Sequence, residues 1–216
     1  MPDAAPIVYP LDMPTGNIAN IEFSQESSQQ VSEAPRSFAR NVTDWGGERW
    51  RVQVTIQRMD YVDTAPWRAF FSRMRGSVGS FLMNPYGQGG SAQLGKWNDV
   101  LTRTLNVKTP QPGIGQDHRL TLTSSIMRLT DAFKAGDFIQ LGSGSNSRLH
   151  MIMDDITLDK NDVTINVWPK PKANVLNDRV VVVNQPRGVF YFRDPLASWI
   201  QDNLWNHEIS FTAYSV

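Results

Sequence analysis

Three histidines are the first residues to weigh for chemistry, because imidazole transfers protons and binds metals near neutral pH. They are His118, His150 and His207, and no two stand in an HxxxH or HExxH spacing. A metal site would have to be gathered from distant segments. His150 lies between Leu149 and Met151 in a strand-like run, where a surface or hydrogen-bonded imidazole is the expected reading. Asp154-Asp155 and the pair Asp159 and Asp162 are the clustered carboxylates. Paired carboxylates can hydrolyse glycosidic bonds, but these flank a turn, where aspartate is favoured for local backbone bonding. Asp159-Lys160-Asn161-Asp162 does not keep the alternate spacing of a calcium loop, and no glutamate stands at its twelfth position. Gly113-Ile114-Gly115 and Gly142-Ser143-Gly144 match neither the phosphate-loop nor the dinucleotide pattern, and a GxSxG elbow is absent. The chain has no cysteine, which excludes disulfides, zinc thiolates, iron–sulfur clusters and thiol nucleophiles. The expectation is a protein that is not an enzyme, with no catalytic residue, no cofactor and no metal ligand assigned.

Nucleic-acid binding is the remaining chemistry with a local signal. Lys170 and Lys172 flank Pro171 just after Trp168, and cations beside aromatics suit a single strand's phosphates and bases. Against it, the chain carries 21 basic and 21 acidic side chains, so it has no overall field to attract a polyanion. A scaffold is the favoured reading of this region.

The elements that would position these residues are legible. Trp50, Val52, Val54 and Ile56 alternate with Arg51, Gln53, Thr55 and Gln57, the period of a strand with one buried face. Gly46-Gly47 before it reads as a turn. A helix follows, capped by Asp63 or Thr64, with Pro66 in its first turn and Gly76 at its end. Trp67, Phe70, Phe71 and Met74 form its apolar stripe, which needs a sheet to cover it. Ser80–Met83 reads as a short strand stopped by Asn84-Pro85, and Gln88-Gly89-Gly90-Ser91 as a linker.

Beyond the linker, strand-like runs recur at Thr104–Lys108, Arg119–Ser124, Asp137–Leu141, Arg148–Ile156, Val163–Trp168 and Arg179–Val183. Many short strands separated by Gly, Ser and Asn turns predict a small barrel or sandwich. Gln185-Pro186-Arg187-Gly188 closes that stretch. Ile209, Phe211 and Ala213 then alternate with Ser210, Thr212 and Tyr214, a strand whose natural partner is Trp50–Gln57. The expected organisation is a discontinuous first domain, residues 1–88 and 186–216, with a second domain, 89–185, inserted into it. The N-terminal forty residues are polar, with Ser24–Gln30 rich in Ser and Gln. Two readings stay open for them: disorder, or a long polar hairpin completed by a partner chain. No run approaches the roughly 20 apolar residues of a bilayer span, and no secretory signal is evident at Met1–Pro6. A soluble chain without membrane insertion is expected.

The stretch Ala34–Pro85 carries a resemblance. It holds Gly46-Gly47-Glu48-Arg49-Trp50, the alternating strand, the amphipathic helix, and then Met74-Arg75-Gly76-Ser77-Val78-Gly79-Ser80-Phe81. That order resembles the distal tail proteins of siphophages, in which an entry loop, a strand and a helix lead into a Leu-x-Gly-x-x-Gly-x-Phe-like phrase. Phe133–Gly142, with Gly136-Asp137 at its turn, resembles a later strand of the same family, and Arg148–Asp155, Val163–Pro169 and Arg179–Pro186 follow in the family's order. The resemblance covers about residues 20–216. The chain departs from it in having Pro35 offset from Phe38, and in lacking a proline at Arg58-Met59-Asp60.

The resemblance implies a mainly β fold: a tail-tube-like β-sandwich with one helix, interrupted by a small barrel of the oligonucleotide-binding (OB) type. It implies a homo-hexameric ring in the baseplate, at the distal end of the phage tail in the virion. The ring would join the tail tube protein to hub and fibre proteins, and phage DNA would pass its lumen without sequence readout. On the N-terminal hairpin reading, Ile21, Phe23, Gln25, Val31, Phe38 and Trp45 are the candidate subunit-contact residues. Three alternatives stand beside it: a barrel that binds surface carbohydrate or another receptor, a tail-completion protein at the head-proximal end, and, with least support, a wall-degrading enzyme.

Overall fold

The computed structural model describes residues 6–85, 105–108, 117–123, 129–158, 162–172, 181–194, 199–201 and 207–216. Its first part gives strands β1 (Leu11–Asp12), β2 (Ile18–Glu33) and β3 (Arg40–Met59), helix α1 (Tyr61–Met74) and strand β4 (Phe81–Met83). Eight short strands follow: β5 (Asn106–Val107), β6 (Arg119–Thr123), β7 (Leu129–Phe133), β8 (Phe138–Leu141), β9 (Arg148–Ile152), β10 (Ile156–Leu158), β11 (Asp162–Trp168) and β12 (Val181–Val182). Then come β13 (Gly188–Tyr191), β14 (Trp199–Gln201) and β15 (His207–Ser215). The fold is mainly β, with one α-helix among the described residues.

Two sheets dominate. The first runs β1-β4-β13-β15-β3-β2, with β14 also on β15; the second runs β12-β8-β9-β11-β6-β5 and curls into a nearly closed, barrel-like form. Strands β7 and β10 make a separate two-stranded ribbon. The first sheet therefore draws strands from both sides of the second in sequence. The alternation at the C-terminal end finds the expected partner: Ile209, Phe211 and Ala213 stand opposite Ile56, Val54 and Val52. The expected linker and the 88/89 boundary lie outside the described residues.

Three local expectations are corrected. Gly46-Gly47 is not a turn before a strand, because β3 runs through it without interruption. The two glycines sit at a register shift between Ser27 and Gln29 of β2, and Gly46 takes φ +71. This is a bulge, which inserts residues into one strand without ending it. The helix begins earlier than expected, with Asp60 as its cap: Asp60 Oδ1 accepts the Val62 and Asp63 N–H groups at 2.9 and 2.8 Å. Pro66 is accordingly inside the helix rather than in its first turn. Strand β7 was not foreseen in sequence.

The cap supports a quantitative expectation. Asp60→Ala removes the acceptor of two first-turn N–H groups, so stability falls by about 1 kcal/mol. Asp60→Asn, which keeps an acceptor oxygen, stays within about half of that. The urea midpoint of the full chain reads the difference, and an unchanged midpoint for the alanine variant removes the capping role.

The apolar stripe of α1 is placed as its spacing expects. Trp67, Phe70, Phe71 and Met74 are buried, and Phe70 and Phe71 meet Phe81 and Phe211 with ring centroids at 5.4 and 5.5 Å. Two cores result. One lies under α1 and the first sheet, and the other fills the second sheet with Leu120, Leu122, Phe133, Ile139, Leu141, Ile152 and Val167. Alternation in the second sheet splits its residues between them. Ile139, Ile152 and Val167 turn into the barrel, whereas Leu149, Trp168, Phe138 and Met151 pack against the first sheet's core.

Candidate functional site

Two features stand out on this frame: a hairpin arm, and the groove at its base. Strands β2 and β3 pair from Ile18↔Ile56 to Glu33↔Arg40. The base of the hairpin lies on the protomer's own core, where Ile18, Ile21 and Phe23 pack. Phe23 contacts Trp50, Phe138 and Phe190 at 5.7, 6.0 and 6.2 Å. Beyond Glu26, every residue of β2 is exposed. At about 3.3 Å per residue, the stretch Ser27–Glu33 reaches roughly 20 Å past the body. A tight tip closes it, with Ala34 N–H donating to Ala39 O at 3.0 Å and Phe38 N–H to Ala34 O at 2.9 Å.

The candidate contact residues thus divide into two groups. Ile21 and Phe23 are engaged within their own chain, while Gln25, Val31, Phe38 and Trp45 face outward. Val31 is 51% exposed, Phe38 76% and Trp45 66%. Val42, opposite Val31 in register and 42% exposed, joins them and was not singled out from sequence. Its position in the residues before Trp50, read as a loop rather than a strand, hid it.

The groove at the base has a volume of about 710 Å³ and lies between the hairpin stem and the chain after β11. Glu26 and Arg49 form an ion pair across the hairpin. Arg49 also donates to the Tyr191 hydroxyl at 3.2 Å and lies 4.4 Å over the Tyr214 ring. The hydrogen bond from Arg49 holds the Glu26 carboxyl below its usual range. Glu48 joins the two sheets: its carboxylate accepts the Lys170 N–H at 2.9 Å, and it lies 3.3 Å from His118 Nε2 and 3.7 Å from Lys170 Nζ. His118 Nδ1 lies 3.0 Å from the Val167 carbonyl, an acceptor only, so this nitrogen donates.

A small cavity adjoins the groove and shares Glu48, Lys170 and Lys172 with it. Arg148 and His150 form its inner wall. His150 is 3% exposed, and its Nδ1 donates to the Pro169 carbonyl at 2.7 Å. That bond leaves Nε2 as a lone-pair acceptor, and Nε2 is buried without a hydrogen-bond partner among the described residues. Arg148 Nε is in the same condition, while its Nη1 donates to the Ser145 and Ser147 carbonyls at 3.0 Å each. Burial pushes His150 down to about 4, with the Arg148 and Lys172 charges adding to it and the Pro169 bond opposing it. Burial also lowers Lys172, and Arg148 adds to that.

His150 thus matches the hydrogen-bonded reading in its Nδ1 and departs from it in Nε2. The i, i+2 spacing of Arg148 and His150 was the available sequence signal, since a strand puts both on one face. The departure came from distant segments, with Glu48, Val189 and Ser215 lining the same cavity. The clustered carboxylates stay apart from this site. Asp155 accepts the Ala135 N–H at 2.9 Å and pairs with Lys134 at 3.0 Å; the backbone bond first and the lysine second hold it below the carboxylate range. Asp154 accepts from Asn166 at 2.7 Å, and Asp162 pairs with Lys108. Asp159 lies outside the described residues, as do the Gly113-Ile114-Gly115 loop and the side chain of His207. Among the described residues, no three metal-ligating side chains cluster, and no helix is long and apolar enough to cross a membrane. Comparison with known proteins gives no matching family and no matching curated relative.

Proposed function

We propose that this chain is a structural, non-enzymatic subunit of a bacteriophage tail tip. In this reading six copies close a ring at the distal end of the tail, between the tube and the hub and fibre proteins, and DNA passes through the lumen. The first sheet with α1 serves as the tail-tube-like sandwich, and the barrel-like second sheet as the OB-type domain.

The observation that carries the reading is the hairpin arm. An isolated two-stranded ribbon is marginal in water, and β2 is an outer strand of its sheet, with one backbone edge that no other strand pairs among the described residues. The arm nonetheless carries Val31, Phe38, Val42 and Trp45 out into solvent. Apolar and aromatic side chains on a projecting strand pair suit burial against another copy, and head-to-tail contacts of that kind generate rings.

Negative-stain imaging and sedimentation of the full chain, alone and with the tail tube protein, test this. Six-fold rings are expected for the parent. Phe38→Asp with Trp45→Asp is expected to raise the concentration needed for rings at least tenfold. The urea midpoint stays unchanged, because both side chains lie outside the protomer's cores. Rings that form equally well with both aspartates would overturn the role of the arm, and particles of another symmetry would overturn the hexamer.

A further inference from the structure

We propose that the inner end of the base groove binds a phosphate group that carries a P–OH, held by Arg148, His150 and Lys172. The inference is independent of ring formation. Its basis is a donor and acceptor count. Arg148 Nε–H is a buried donor and His150 Nε2 a buried acceptor, both without partners among the described residues. An unmade buried bond of either kind is costly, so the group that satisfies both must accept from one and donate to the other.

Charge narrows the ligand further. Burial disfavours the charge on both Arg148 and Lys172, and Arg148 lies close enough to disfavour that of Lys172 further. No carboxylate pairs with either among the described residues, and Glu48, which lines the same cavity, is engaged by His118 and Lys170. Two cations left over at one end of a groove call for an anion. A carboxylate or a sulfate can accept from Arg148 and Lys172 but has no hydrogen to give His150 Nε2. Hydrogen phosphate, or a phosphomonoester in its monoanionic form, has both P–O⁻ and P–OH and satisfies all three side chains.

The space fits one oxygen inside, the P–OH oxygen, which accepts from Arg148 Nε–H and donates to His150 Nε2, and the rest outside. The cavity measures about 20 Å³, above the roughly 10–15 Å³ that a single water-sized group needs. The remaining oxygens, and an ester substituent, lie in the adjoining groove, whose wall Lys172 shares. The Arg148 guanidinium is already oriented by the Ser145 and Ser147 carbonyls, so little ordering remains on binding.

Titration calorimetry of the full chain with inorganic phosphate and with sulfate, at pH 7 and matched ionic strength, tests the proposal, with the imidazole nitrogens followed by NMR. Phosphate is expected to bind at least tenfold more tightly than sulfate and to shift the His150 Nε2 resonance. Lys172→Met is expected to weaken phosphate at least tenfold while leaving the thermal midpoint without phosphate unchanged. Two further arms separate the sources of such a group. Glycerol phosphate at pH 6, where about half of a monoester retains its P–OH, is expected to compete with phosphate. A short single-stranded DNA, whose diesters have no P–OH, is not. Equal affinity for sulfate, competition by the DNA, or phosphate binding that leaves the His150 resonance in place would each overturn it, as would no binding at millimolar phosphate.

Discussion

Trp50→Ala is expected to lower the stability of the folded chain by about 4 kcal/mol, a large part of the roughly 5–15 kcal/mol that holds a typical domain together. Trp50 is 3% exposed and stands where the two sheets meet. Its ring lies 4.4 Å from Trp168, 5.5 Å from Phe138 and 5.7 Å from Phe23, so it touches both sheets and the base of the hairpin arm. Its indole N–H donates to the Leu149 carbonyl of β9 at 3.0 Å. Truncation leaves a cavity at the junction and a buried carbonyl without its donor, and the two costs add. Trp50→Phe keeps most of the ring volume and loses the N–H, so it should fall between, at about 1–2 kcal/mol. Urea denaturation of the two variants against the parent reads both values. A midpoint for the alanine variant within about 1 kcal/mol of the parent would mean that the sheets are held together elsewhere. The same junction admits no side chain at Gly188, where a Cβ would come within 2.8 Å of Leu149 Cβ.

Acidification is expected to remove about 2 kcal/mol of stability between pH 7.5 and pH 5 through His150 alone. The imidazole titrates at about 4 in the folded chain, against about 6.5 when unfolded. Between those values the unfolded chain binds a proton that the folded chain refuses, so stability rises with pH across the window and is lost as pH falls. Below about pH 4 both states are protonated, and the loss levels off near 3 kcal/mol. Burial of the ring sets the sign, the bond to the Pro169 carbonyl opposes it, and the Arg148 and Lys172 charges that face the ring add to the burial. Denaturation midpoints at pH 7.5, 6 and 5, compared between the parent and His150→Gln, isolate this contribution from that of the carboxylates. Parallel pH profiles for the two proteins would show that His150 is not the buried neutral group described.

Much of the fold was legible where one residue pattern fixes one face. The alternation of Trp50, Val52, Val54 and Ile56, the stripe of Trp67, Phe70, Phe71 and Met74, and the pairing of Ile209–Ala213 back onto β3 all follow from periods of 2 and 3.6. The hairpin was legible only as one of two options. A polar segment reads the same whether it is free or paired, and the strand partner that decides between them comes from Arg40–Glu48, whose glycines suggested a turn. Pro66 misled in a similar way: its usual place is the first turn, but the carboxylate of Asp60, three residues before Asp63, captured the free N–H groups first.

For the candidate site the division is sharper. Sequence supplied the ingredients: an absence of thiols, scattered histidines, the Arg148/His150 spacing and the Lys170-Pro171-Lys172 run. It also decided that Trp50–Gln57 and Ile209–Ala213 become strands and which face of each is apolar, since both follow from local residue order. It did not decide what lies beyond those faces. That Glu48 meets His118 and Lys170, that Phe23 turns inward while Phe38 and Trp45 stay in solvent, and that His150 is buried beside two cations depend on contacts between segments tens of residues apart. Such contacts are set by how two sheets pack across Trp50 and Trp168, and packing is a property of surfaces that exist only once the strands have paired.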